Sequence, residues 1–151
     1  MVRDTAALLP LERDRRTLLV EQVAAPHLRA NDAWCHPGMF WEEICRHTDA
    51  CSLLEVEANP TDEDTAKLET YLQYYDTVIL TWYKDRKSLG SADLVERCIA
   101  AGKRVVVVVS NPLPYELPEL WPTVVCTYGV MAPVLRVAAD LLYGEFEPKT
   151  K

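Results

Sequence analysis

The chain has 151 residues, 49% of them apolar and 26% charged, with a formal net charge of −7. A chain of that size can bury about 70% of its unfolded surface in one hydrophobic core, and the acidic balance excludes the clustered basic face of a nucleic-acid binder. No stretch approaches 18 apolar residues, and the opening Met1-Val2-Arg3-Asp4 lacks a long apolar run, so neither a membrane span nor a signal peptide is expected.

Residues 1–15 read as a tether, with Leu8-Leu9-Pro10-Leu11 a short apolar lead stopped by proline. Arg13, Arg15 and Arg16, interrupted by Asp14, read as a solvated lead-in to the first strand. Residues 17–23 (TLLVEQV) form that strand, apolar but carrying Glu21 and Gln22 near its end. Residues 24–37 are a polar loop, long for an α/β unit, and such loops tend to be functional. Residues 38–47 (GMFWEEICRH) fit a short amphipathic helix with Phe40 and Ile44 inward and Trp41 a further candidate. Residues 51–58 (CSLLEVEA) are a second strand, and the alternating Glu55 and Glu57 place it near an edge.

Thr61 is a good N-cap for the next helix, followed by Asp62, Glu63 and Asp64 at the positive end of its dipole, with an apolar stripe of Leu68, Leu72 and Tyr75. Thr77–Tyr83 (TVILTWY) is a third, central strand. Ser91 caps a helix to Ala101 whose inner face is Leu94, Val95, Cys98 and Ile99, and Gly102 is its left-handed terminator. Arg104–Ser110 (RVVVVVS) is the strongest signal in the chain. Five β-branched valines without alternation predict a strand covered on both faces. Asn111-Pro112 ends it, because proline has no N–H for the ladder. A proline-rich connection leads to a last strand at 123–128 (TVVCTY). Pro133 opens a helix closed by Gly144, with Val134, Val137, Ala138, Leu141 and Leu142 as the expected inner face.

The order predicts one α/β domain over 1–151: a doubly wound, mostly parallel five-stranded sheet with helices on both faces, a flavodoxin-like three-layer sandwich. Ligands of such sheets bind beyond the carboxyl ends of the strands. Those ends carry no G-x-G-x-x-G, no P-loop, no receiver-type acidic pair and no G-x-S-x-G, which argues against nucleotide, phospho-receiver and nucleophile-elbow chemistry. The five cysteines form no C-x-x-C pair, which fits free thiols in a reducing, cytoplasmic-type compartment. His27, Cys35 and His36 match no zinc spacing, so no metal and no cofactor is expected. Glu21, Glu55 and Glu57 do not assemble into a hydrolytic pair on this reading, because two of them share a solvated strand face. Trp34, Trp41, Trp82 and Trp121 could make a sugar-stacking platform, although packing roles suit Trp82 and Trp121 better.

Three stretches resemble the C-terminal α/β domain of glycoside hydrolase family 3. Val2-Arg3-Asp4 with Leu8-Leu9-Pro10-Leu11 is similar to the tether entering that domain, and the valine strand with Ser110-Asn111-Pro112 to its strand and turn. Thr127-Tyr128-Gly129, Pro133 and Ala138-Ala139-Asp140-Leu141-Leu142-Tyr143-Gly144-Glu145 are similar to its last strand end and helix. The loop with His36-Pro37-Gly38 inclines toward the β-N-acetylhexosaminidase branch. The resemblance implies a non-catalytic accessory domain. The family's nucleophile is an aspartate on a separate (β/α)₈ barrel, and no catalytic residue transfers to this sequence. It implies the barrel and a carbohydrate as partners; if the domain lends sugar contacts, Tyr83, Lys84, Asn111 and Tyr128 are the candidates, because they occupy the expected carboxyl ends of strands. The chain stops at Lys149-Thr150-Lys151, short of the segment that usually follows, which suggests an excised domain or truncated product. The isolated chain is expected to hydrolyse no glycoside. The alternative is a stand-alone interaction module that keeps the fold.

Overall fold

The structure is a computed structural model that describes residues 1–23, 38–83, 92–110 and 117–146. Among these, six strands and four helices follow in the order β1 (Val2–Asp4), β2 (Thr17–Gln22), α1 (Met39–Cys45), β3 (Cys51–Val56), α2 (Asp62–Tyr71), β4 (Thr77–Tyr83), α3 (Ala92–Ala100), β5 (Arg104–Ser110), β6 (Thr123–Cys126) and α4 (Ala132–Leu142). They form one sheet in the order β1-β6-β5-β4-β2-β3. The expected parallel sheet is there, with the five chain-ordered parallel strands running 2-1-3-4-5, the flavodoxin-like order.

The five valines of β5 are fully buried, Val105, Val107 and Val109 on one face and Val106 and Val108 on the other. Each such burial stabilises by about 1.5 kcal/mol or more. Helices α2 and α3 cover the first face through Leu68, Leu94, Val95 and Cys98. Helices α1 and α4 cover the second through Phe40, Ile44, Leu135 and Leu142. Strand β3 lies at one edge with Glu55 and Glu57 exposed, as its alternation predicts. Thr61 caps α2 in a reciprocal box with Asp64, and Gly102 takes φ 72.

Two expectations are corrected. The sheet has six strands because Val2–Asp4, read as tether, pairs antiparallel with β6. The Asp4 carboxylate fixes it there, accepting from Leu8 N–H at 2.9 Å, Leu9 N–H at 3.0 Å and the Thr123 hydroxyl at 2.7 Å. Burial pushes the Asp4 carboxyl up, but these donors outweigh it and hold it below the ordinary value. Second, the inner face of α4 is Leu135, Ala138, Ala139 and Leu142, while Val137 stays 45% exposed. The helix is apolar on more than one face, so periodicity alone could not choose its rotation about its own axis.

Candidate functional site at the carboxyl edge of the sheet

The chain reverses its direction of travel across the sheet between β2 and β4, which are hydrogen-bonded neighbours although β3 lies between them in sequence. Doubly wound folds open a crevice at such a point. The paired register of β2 with β4 reaches Val20↔Leu80, and beyond it side chains take over from the ladder. Gln22 N–H donates to Thr81 Oγ1 at 2.8 Å, and Tyr83 N–H donates to Gln22 Oε1 at 2.7 Å. Gln22 Nε2 also donates to the Ala58 carbonyl. Buried backbone donors must find acceptors, and a glutamine in an otherwise apolar strand supplies one here.

Glu21 is the centre of the site and is only 3% exposed. Its Oε1 accepts from Phe40 N–H at 2.8 Å and from the Tyr83 hydroxyl at 3.2 Å, and its Oε2 accepts from Trp41 N–H at 3.3 Å. The first-turn amides of α1 lack intrahelical partners, and Gly38, at the N-cap with φ 76, has no side chain to offer them. The cap therefore comes from β2, across the sheet-to-helix gap. Burial raises the Glu21 carboxyl above its ordinary value; the two amides and Tyr83 act against that, and Glu55, its register partner on β3, adds to it. The result is a buried, internally bonded carboxyl group at the mouth of the switch point.

The four expected sugar-contact residues divide. Tyr83 belongs to this cluster, buried with its hydroxyl on Glu21. Tyr128 stands after β6, 60% exposed and at φ 56, a left-handed conformation uncommon outside glycine. Strand β5 separates β4 from β6, so the two tyrosines do not share a strand pair. Lys84 and Asn111 lie outside the described residues, as do the 24–37 loop, Ser91, His27, Cys35 and His36. Sequence reading passed over Glu21 and Gln22 as centres of a site; the available signal was two long polar residues ending a strand that is otherwise apolar. Among the described residues no set of metal ligands gathers at this edge; one does at the opposite edge. No helix among them is long and apolar enough to cross a membrane.

These features define a doubly wound α/β domain of flavodoxin-like strand order, extended by one antiparallel edge strand. The fold matches the solved structure of a glycoside hydrolase family 3 β-N-acetylglucosaminidase from Paenibacillus sp. str. FPU-7, with a TM-score of 0.79 and 16% sequence identity. The match covers 97% of this chain and 28% of that one, and the part matched is a C-terminal domain of that enzyme. At that identity the likeness establishes the fold, which is the one the sequence resemblance implied. No family model and no curated protein matches the sequence.

Proposed function

We propose that this chain is the accessory C-terminal domain of a glycoside hydrolase family 3 enzyme of the β-N-acetylglucosaminidase or β-glucosidase type. It buttresses a (β/α)₈ catalytic barrel and lends sugar contacts from the carboxyl edge of its sheet. The supporting observation is a fold match that takes in 97% of the chain. The domain itself is non-catalytic. Among the described residues, Glu21 is the one carboxylate at the switch point with a raised pKa, and its oxygens are occupied by two amides and a phenol. The common glycosidase mechanism needs carboxyl groups free to reach the scissile bond. The exposed ring of Tyr128 offers a stacking face for a pyranose, while Tyr83 anchors the edge from beneath; Lys84 and Asn111 are proposed as polar contacts. The free thiols Cys45, Cys51, Cys98 and Cys126 fit a reducing, cytoplasmic setting.

Two experiments test this reading. An immunoblot of source-cell extract should show a polypeptide long enough to include a barrel of about 250 residues. In that full-length enzyme, alanine at Tyr83, Lys84, Asn111 and Tyr128 together should lower kcat/KM for a chitobiose-type substrate; an unchanged value removes the sugar-contact assignment. One observation favours the stand-alone interaction module instead. An apolar groove of about 360 Å³ runs between β1 and α4, lined by Val2, Val125, Val134, Val137, Leu141 and Phe146. A native band at 17.1 kDa would select that reading.

A further inference from the structure

We propose that the amino edge of the sheet carries a divalent-cation site of the zinc class, formed by His47, Asp140 and Glu145. It does not depend on the glycosidase reading. His47 follows α1, and its side chain is 2% exposed, stacked on Tyr143 with ring centroids 5.2 Å apart and planes 9° from parallel. Its Nε2 lies 2.9 Å from Asp140 Oδ1 and its Nδ1 lies 3.4 Å from Glu145 Oε1. Each nitrogen thus faces one carboxylate at close range, and neither contact has the alignment of a hydrogen bond.

One ligand atom from each of the three residues lies within 4.8 Å of the others. Tetrahedral bonds of about 2.0–2.1 Å place two ligand atoms about 3.3 Å apart, between the 2.9 Å of the Asp140 contact and the 3.4 Å of the Glu145 contact. One ion takes one ring nitrogen, whose lone pair then aims at the ion rather than at an oxygen, while each carboxylate offers one oxygen to the same ion.

The backbone builds the same site. Gly144 at φ 77 folds the chain back so that Glu145 N–H donates to the Asp140 carbonyl at 2.8 Å, which brings the two carboxylates together. They also sit at the negative end of the α4 dipole, where a cation is favoured. An imidazole with two carboxylates suits Zn²⁺. Asp140 and Glu145 have side chains 27% and 52% exposed, which keeps the ion in reach of solvent. Arg13 competes: its Nη2 is 2.7 Å from Glu145 Oε1 and its Nη1 donates to the His47 carbonyl at 3.1 Å. Arg136 is committed to Glu43 at 3.1 Å.

The test is calorimetric titration of the whole 151-residue chain with zinc chloride, together with melting curves with and without the ion. A Cys45→Ser background removes the one exposed thiol among the described residues as a rival ligand. One ion per chain should bind and raise Tm. Asp140→Asn and Glu145→Gln should each weaken binding about tenfold or more, as loss of even an outer partner of a ligand does. Arg13→Ala should tighten it, whereas a purely structural ion-pair cluster would only lose stability. Absence of one-to-one binding, affinity unchanged from that of the parent chain in Asp140→Asn or Glu145→Gln, or binding lost on Cys45→Ser alone would overturn the assignment.

Discussion

Asp4 decides whether the first residues belong to the sheet. Replacing it with alanine removes the acceptor for Leu8 N–H, Leu9 N–H and the Thr123 hydroxyl. Bonds to a charged acceptor contribute about 1.5–3 kcal/mol each when dry and neutral ones about 1. The site is partly exposed, so water replaces part of what is lost, and about 1 kcal/mol per bond is the appropriate weight. The expected cost of Asp4→Ala is therefore about 2–3 kcal/mol, or a drop in Tm of about 4–12 °C at this chain length. Asp4→Asn keeps one acceptor oxygen and should lose about half as much. Urea unfolding followed by tryptophan fluorescence reads both. The folded pKa of Asp4 is below its ordinary 3.8, so its contribution is complete above that value and is lost as pH falls through the folded pKa. The gap between wild type and Asp4→Ala should thus close in acid. A variant within 0.5 kcal/mol of wild type near neutrality, a bound far below the loss expected for three bonds, would show that β1 is held by its ladder alone.

Glu21 predicts the opposite pH dependence. Its folded pKa is raised above the ordinary 4.5, so the native state binds more protons and wild type loses stability as pH climbs from 4.5 to the folded value. Glu21→Gln has no such loss, so its stability relative to wild type should improve across that window in urea titrations at stepped pH; a flat or reversed difference refutes the burial argument. The thiols of Cys51 and Cys98 are both pushed up to about 12 by burial. Among Cys45, Cys51, Cys98 and Cys126, a disulfide reagent at neutral pH should therefore modify Cys45 in the native protein and the other three only on unfolding. Fast native labelling of Cys51, read by peptide mapping, would contradict this.

Local physics wrote much of this fold into the chain. Five consecutive valines can satisfy both faces only in the middle of a covered sheet, and alternating Glu55 and Glu57 suit a strand with a wet side. Thr61 and Gly102 mark helix ends by chemistry that acts within four residues. These signals gave the parallel strands, the edge position of β3 and three helix faces. Tertiary structure decided what depends on partners far away in sequence. Val2–Asp4 is too short to declare itself a strand, and becomes one only because β6 offers a free edge and Thr123 a hydroxyl. The face that α4 buries is settled by the sheet and α1, since its valines and leucines wrap around the helix. Glu21 and Gln22 are two polar residues in a strand until the end of the β2–β4 ladder and the bare first turn of α1 give each a set of donors and acceptors. His47, Asp140 and Glu145 carry no common spacing, because a contact across some 90 residues is fixed by packing and leaves no period in the sequence.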